Sequence, residues 1–358
     1  MHAVVSVNKT VGALLLALGL VASAFVAVNV GGSSTGVAFG PATGSGALGP
    51  RRAAVLLTLS ACLGGVTLGP RVTATLGEEF VTGPAFTLGA AVVVLAVTGV
   101  GILLGNLLGV SVSTSATAVG AVVGFGVAVD AVRWGTVGSV ARWWVVSAVV
   151  GFWLAALVGR YLYESLAAGL ERRSSASTRR VALVLTGCGM AFAAGGSNVA
   201  NAAGALLGAD ALGMGPAVGL ACAGIGVGAV VFGPRTMETV GEGITELPVA
   251  AALVVQGIAA VLITVLNVAS VPASLAVTTT MCVVGFGWGR ASRVADRRGG
   301  ADRQRGTDRP NRDRAPADDH TPDVGDLYDA SVMRRIVTAW VASPAVAALL
   351  AFVVVSVV

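Results

Sequence analysis

A ten-residue phrase stands twice in this chain, 164 residues apart, and each copy sets small and polar residues into a long apolar stretch. The first copy is Gly31-Gly32-Ser33-Ser34-Thr35-Gly36-Val37-Ala38-Phe39-Gly40; the second is Gly195-Gly196-Ser197-Asn198-Val199-Ala200-Asn201-Ala202-Ala203-Gly204. The same offset pairs Ala47-Leu48-Gly49 with Ala211-Leu212-Gly213, and Gly69-Pro70-Arg71 with Gly233-Pro234-Arg235. It also pairs Thr75, Gly77 and Glu78 with Thr239, Gly241 and Glu242. A chain duplicated in this way folds as two copies of one unit. Apolar copies with matched polar interruptions predict broken helices and a polar site where the interruptions meet, the layout of a secondary transporter.

Composition supplies the solvent. Mean hydropathy is +0.85. Only 11% of residues are charged, against about 25% in soluble domains. The chain therefore reads as an all-α polytopic membrane protein whose surface meets the lipid bilayer. Apolar runs predict spans at 11–30, 53–69, 84–108, 111–127, 137–159, 181–194, 217–232, 248–268, 271–288 and 336–358. Several fall short of the roughly 20 residues of a straight span. The short ones adjoin the glycine-rich phrases, so broken or re-entrant helices are expected there. A signal peptide at 11–30 is disfavoured, because the repeat begins inside that segment and only Lys9 flanks it.

About five spans per copy would invert the second copy relative to the first. With the N-terminus and C-terminus outside, nineteen of the 23 cationic residues fall inside. These are Arg51, Arg52, Arg160, Arg172, Arg173, Arg179, Arg180, Arg235 and the eleven arginines of 289–335. Only Lys9, Arg71, Arg133 and Arg142 fall outside, as the positive-inside rule requires. The expected organisation is a first inverted repeat over 1–160, a cytoplasmic linker over 161–180 and a second repeat over 181–358. The 295–330 stretch mixes Arg and Asp with Gly and Pro and predicts a disordered cytoplasmic loop. Its alternating charges cancel most of the field that nucleic acid would need, so no nucleic-acid partner is expected.

Enzyme chemistry has little to stand on. The only histidines are His2 and His320, and no nucleophile and base stand together in an apolar repeat segment. Cys62, Cys188, Cys222 and Cys282 lie in apolar runs without metal-ligand spacing, so they are expected to act as small buried hydrophobes. No cofactor and no metal beyond sodium is expected.

At these residues the chain resembles the inorganic phosphate transporter family, known as PiT or Pho4. That family carries a GANDVANA phrase in each of two inverted halves and a Pro-Val-Ser-Thr-Thr-His phrase later in each. The two glycine-rich phrases occupy the first position, with Asn201 matching the second asparagine. Val112-Ser113-Thr114-Ser115 is similar to the second phrase, and its partner is Pro272-Ala273-Ser274. The resemblance follows the chain in order over nearly its whole length. The departures are specific: Ser33-Ser34 and Ser197-Asn198 replace the Asn-Asp pairs, so both signature aspartates are missing. Ala116 and Val277 stand where the histidines would, and Val37 replaces one asparagine. The resemblance implies inorganic phosphate as substrate, sodium as coupling ion and a homodimer; the missing aspartates bring a proton into consideration as the coupling ion.

The residues themselves offer converging neutral donors for an oxyanion. Gly32, Ser33, Ser34, Thr35, Gly196, Ser197, Asn198 and Asn201 come from the two phrases; Ser113, Thr114, Ser115 and Ser274 form a second ring. Ser34, Asn198 and Asn201 also offer oxygens to a coupling cation, while the repeat-equivalent Glu78 and Glu242 could carry a proton. Competing readings stand beside these. Gly and Ser, including Gly120 and Gly124, serve close helix packing in membranes, and the glutamates could be helix-end charges. Two further functions stay open: a sulfate or other oxyanion permease, and a non-transporting receptor or regulatory protein that signals through 295–330.

Overall fold

The computed structural model describes residues 2–82, 86–107, 112–237, 248–305 and 330–357. Twelve helices are named here: α1 (His2–Gly44), α2 (Pro50–Thr67), α3 (Gly69–Ala74), α4 (Leu88–Leu107), α5 (Thr114–Ala128), α6 (Trp134–Leu157), α7 (Tyr163–Arg173), α8 (Ala176–Gly208), α9 (Met214–Val231), α10 (Val249–Val268), α11 (Leu275–Arg305) and α12 (Ala330–Val357). A π-helical turn, Thr75–Glu79, continues α3, and another, Val158–Leu162, joins α6 to α7. Among the described residues, seven helices are long and apolar enough to cross a membrane, or eight if the bent pair Pro50–Thr67 and Gly69–Glu79 is one span. Every apolar run read from the sequence falls largely on a helix.

The breaks are not where the glycine-rich phrases predicted them. Both phrases lie inside continuous helices, α1 of 43 residues and α8 of 33. The bend of 65° falls instead between α2 and α3, at Gly69-Pro70. Two further interruptions precede α5 and α11, where short non-helical segments end in Ser113 and Ser274. The helices run through the phrases because their glycines meet backbone from another helix rather than bending their own. A Cβ on Gly31 would lie 2.2 Å from the Ile225 carbonyl oxygen, and one on Gly228 would lie 1.9 Å from that of Val28, so α1 and α9 cross at backbone contact. The equivalent pair, α2 and α8, does the same: a Cβ on Gly195 would lie 2.0 Å from the Ala61 oxygen, and one on Gly64 would lie 1.8 Å from that of Phe192. Such contact satisfies dispersion between helices where lipid removes the hydrophobic drive.

These four helices form the centre of the molecule. Two flanking bundles pack against it, α4–α5–α12 on one side and α10–α11–α6 on the other. Each borrows one helix from the opposite half of the chain. A Cβ on Gly120 or Gly124 of α5 would lie 2.3 or 2.0 Å from the carbonyl oxygens of Pro344 and Ala348; one on Gly285 or Gly289 of α11 would lie 2.0 Å from those of Phe152 and Ala156. The packing role read for Gly120 and Gly124 is the one they fill.

The linker and the first part of the loop are helical. Residues 161–180 are almost wholly helical, spanning the end of the second π turn, α7 and the start of α8. Helix α11 extends to Arg305, into the stretch expected to be disordered from 295 onward; residues 306–329 lie outside those described. Its extension is fastened to α7 and the turn before it: Arg160 pairs with Asp296, Arg293 with Glu164 at 2.9 Å, and Arg290 stacks over the Tyr163 ring at 4.6 Å.

Candidate functional site

The central crossing brings the two phrases face to face. Ser34 of α1 and Asn198 of α8 occupy equivalent places in the two copies, and the Asn198 Nδ2 donates to the Ser34 Oγ at 3.0 Å. Both side chains are at most 5% exposed. The two residues are 164 positions apart, so this bond joins matched positions of the two phrases.

Above it, the starts of α5 and α11 converge. Ser113 caps α5 by accepting from the Ala116 N–H at 3.1 Å, and Ser274 caps α11 by accepting from the Val277 N–H at 3.2 Å. The N–H groups of Thr114 and Ser115, and of Leu275 and Ala276, have no acceptor within their own helices. The two ends touch directly: the Ser115 hydroxyl donates to the Ala273 carbonyl at 2.7 Å. Each N-terminus carries roughly half a positive charge from aligned peptide dipoles, so the pair presents roughly one charge without any ionised side chain.

A buried hydrogen-bond chain locks these ends onto α8. Asn201 donates to Ser115 Oγ at 3.1 Å and to Thr114 Oγ1 at 3.4 Å. The Ala273 N–H donates to Ser197 Oγ at 2.8 Å, and the Ser197 hydroxyl donates in turn to Asn267 Oδ1 at 2.6 Å. Asn267 Nδ2 donates back to the Ala193 carbonyl at 2.6 Å. Ser197, Asn198 and Asn201 face this chain together because residues three and four apart share one side of a helix.

The sequence-read donors therefore divide. Ser34, Asn198, Asn201, Ser197, Thr114, Ser115, Ser113 and Ser274 gather at one place. Ser33 and Thr35 turn back onto their own helix, donating to the Val30 and Gly31 carbonyls at 3.1 and 2.7 Å. Gly32 and Gly196 act through closeness: a Cβ on Gly32 would meet Phe232 Cβ at 2.8 Å, and one on Gly196 would meet Leu68 Cβ and Asn267 Nδ2, each at 2.9 Å. The free N–H groups that the phrases were expected to supply come instead from α5 and α11, because a phrase inside an unbroken helix has its N–H groups already bonded. Glu78 is exposed at the end of the bent helix. Its neighbour Gly77 packs on Gly208 of α8, seven residues and about 10 Å along that helix from Asn201. Glu242 lies outside the described residues. Cys282 is buried, and Cys62, Cys188 and Cys222 are half-buried free thiols.

Two important residues escaped the sequence reading. Asn267 is fully buried and holds Ser197; a signal existed, since Asn106 and Asn267 each stand seven residues before the capping serine of their copy. Trp144 donates its indole N–H to the Pro272 carbonyl at 2.6 Å, steadying the segment before α11. No periodicity in α6 marks it. A cleft of about 260 Å³ opens beside this segment, lined by Thr75, Glu79, Thr136, Ser139, Trp143 and Ser270 among others. Ser270 adopts a left-handed φ of 63° there. Val271 lines the cleft, and Ala273, two residues on, belongs to the buried network.

Long apolar helices, duplicated glycine crossings and two helix N-termini meeting over a buried neutral network define a multi-pass membrane transporter. The particular family follows from comparison. The chain matches the model of the phosphate transporter family over residues 30–171 and 164–351, and it belongs to that family. The sulfate permease CysP of Bacillus subtilis (strain 168) is 28% identical over 266 residues, 74% of this chain and 75% of that protein. A putative phosphate permease of Chlamydia trachomatis serovar D is 35% identical over 138 residues, 36% of this chain and 32% of that protein. A solved structure described as the sodium-dependent phosphate transporter superposes with a TM-score of 0.75 at 20% identity, covering 96% of this chain and 98% of the other, so the fold is shared. The family and this structural neighbour are transporters rather than enzymes.

Proposed function

We propose that this protein is a secondary transporter for inorganic phosphate, binding the anion between the N-termini of α5 and α11 and above the Ser34–Asn198 contact. One observation carries the reading: two helix starts meet, Ser115 of α5 on the Ala273 carbonyl before α11, over side chains from both phrases. Family membership supports the same assignment. Dehydrating an oxyanion is costly, and convergent N–H and hydroxyl donors offset that without a full charge that would trap the ion.

The two copies act as inverted repeats of about five spans each, with 1–160 and 181–358 joined through 161–180. Support comes from contacts that recur with partners exchanged: Gly31 on Ile225 answers Gly195 on Ala61. Such a pair is what a two-fold turn between the halves requires. The N- and C-termini lie outside and residues 289–335 inside. Alternating access follows from the flanking bundles moving against the central four helices, and two copies of the chain assemble as a homodimer, as the family resemblance implies.

A cation drives uptake by symport. Ser34 and Asn198 supply neutral oxygens suited to sodium, with weaker attraction than a carboxylate would give. Sodium is the coupling ion of this reading, in keeping with the family resemblance.

Sulfate is the second reading. It is favoured by the alignment with a sulfate permease over three quarters of both chains and by the absence of a carboxylate from the described network. Radiolabelled phosphate uptake into proteoliposomes, under separate sodium and proton gradients and with sulfate as competitor, decides between them. Sodium-driven phosphate uptake upholds the first reading, and uptake of sulfate alone replaces the substrate. If correctly folded protein moves neither anion, the transport reading falls and the receptor reading takes its place.

A further inference from the structure

The buried network ends in an acceptor with nothing to accept. Asn201 is 4% exposed, and its Nδ2 serves Ser115 and Thr114, yet its Oδ1 has no partner. Among the described residues, the other buried side-chain atoms left so are hydroxyls of Ser23, Thr73, Thr98, Thr279 and Ser343. A hydroxyl can rotate and can donate as well as accept. An amide oxygen can only accept, and this one sits one helical turn from Asn198, beside the converging starts of α5 and α11. A buried carbonyl without a donor is unfavourable, so an occupant that brings a donor is favoured there.

The anions in question differ in this respect. Near neutral pH, sulfate and selenate carry only bare oxygens, whereas phosphate and arsenate keep at least one hydroxyl. The N–H groups of Thr114, Ser115, Leu275 and Ala276 serve bare oxygens of all four anions alike. They do not discriminate. An acceptor does: it bonds the hydroxyl hydrogen of one pair, and it is left unpaired and facing oxygen lone pairs with the other.

We propose that Asn201 Oδ1 accepts the hydroxyl hydrogen of a protonated tetrahedral oxyanion and thereby selects phosphate and arsenate over sulfate and selenate. This rests on the oxyanion-transport reading and deepens it. Selection sits in one copy only, because the equivalent position in α1 is Val37, which offers no acceptor. It also gives this asparagine a task distinct from that of its neighbour Asn198, whose amide is directed to Ser34.

The test measures binding of the four anions to purified full-length protein, wild type against Asn201→Ala and Asn201→Asp. Phosphate against sulfate and arsenate against selenate form two size-matched pairs, so a size effect cannot imitate a proton effect. Wild type is expected to prefer the protonated member of each pair by at least about tenfold, since sites built to bond a hydroxyl reject analogues that lack it. Asn201→Ala should bring both ratios close to one by weakening phosphate and arsenate while sulfate and selenate bind as well or better. Their retained binding reports that the variant is folded. Asn201→Asp keeps an acceptor in place and should hold or widen both ratios. Unchanged ratios in Asn201→Ala, or a wild type that prefers sulfate and selenate, overturn the proposal while leaving oxyanion transport standing. Wild-type protein that binds none of the four overturns both.

Discussion

Asn106 and Asn267 each stand seven residues before a capping serine, Ser113 and Ser274, yet the fold uses them differently. Asn267 is fully buried and makes two hydrogen bonds of 2.6 Å, to the Ser197 hydroxyl and the Ala193 carbonyl; Asn106 is exposed. In Asn267→Ala both bonds vanish and Ser197 loses the acceptor for its hydroxyl. Interhelical bonds in membranes contribute about 0.6 kcal/mol each, and a buried donor left unpaired costs about 1 kcal/mol or more. The loss is therefore about 2 kcal/mol. With an unfolding entropy of about 2 cal/mol/K per residue, this lowers Tm by about 3 °C. Asn106→Ala should change stability by less than about 0.5 kcal/mol, as exposed substitutions do. Thermal unfolding of the two variants in the same detergent, followed by a fluorophore that reacts with newly exposed thiols, gives the comparison directly. Equal shifts for the two asparagines would refute the reasoning, because sequence position would then matter and burial would not.

Three other outcomes follow from the same geometry. Gly64→Val and Gly228→Val place side-chain atoms within 2 Å of opposing backbone oxygens, so each should destabilise by about 3 kcal/mol or prevent assembly; Gly189→Ala, with open space around its Cβ position, should be neutral or stabilising by up to about 1 kcal/mol. Yields of monodisperse protein and its thermal midpoint measure both. Trp144→Phe strips the donor from the Pro272 carbonyl, and hydrogen exchange at the Ala273 amide should quicken by about tenfold, corresponding to about 1.4 kcal/mol of local protection; unchanged exchange would show that Trp144 does not steady the segment. Ser34→Asp introduces a carboxylate beside Asn198 and should raise sodium affinity in uptake assays while weakening anion binding through like charge; a sodium dependence that does not move would exclude Ser34 from the cation site.

Much of this was legible in the chain itself, for reasons that can be named. Hydropathy set the solvent, and the membrane leaves helices as the way for such a chain to satisfy its backbone. The repeat at 164 residues tied Ser34 to Asn198 before any contact was known, and the two side chains do meet. Local pattern could not say how the phrases would be used. Glycine permits either a broken helix or a close crossing, and the choice depends on what stands opposite. Here Ile225 and Ala61 stand opposite, so α1 and α8 stay whole and the unclaimed N–H groups move to α5 and α11. The same limit hid Asn267, whose burial depends on its packing against α8, and Trp144, whose partner lies 128 residues away. Sequence alone determined the solvent, the duplication and the kinds of donor available, because those are properties of residues and of their spacing. Tertiary structure alone decided which donors converge, which asparagine is buried and which amide oxygen is left without a partner, because each of these depends on contacts between segments distant in the chain.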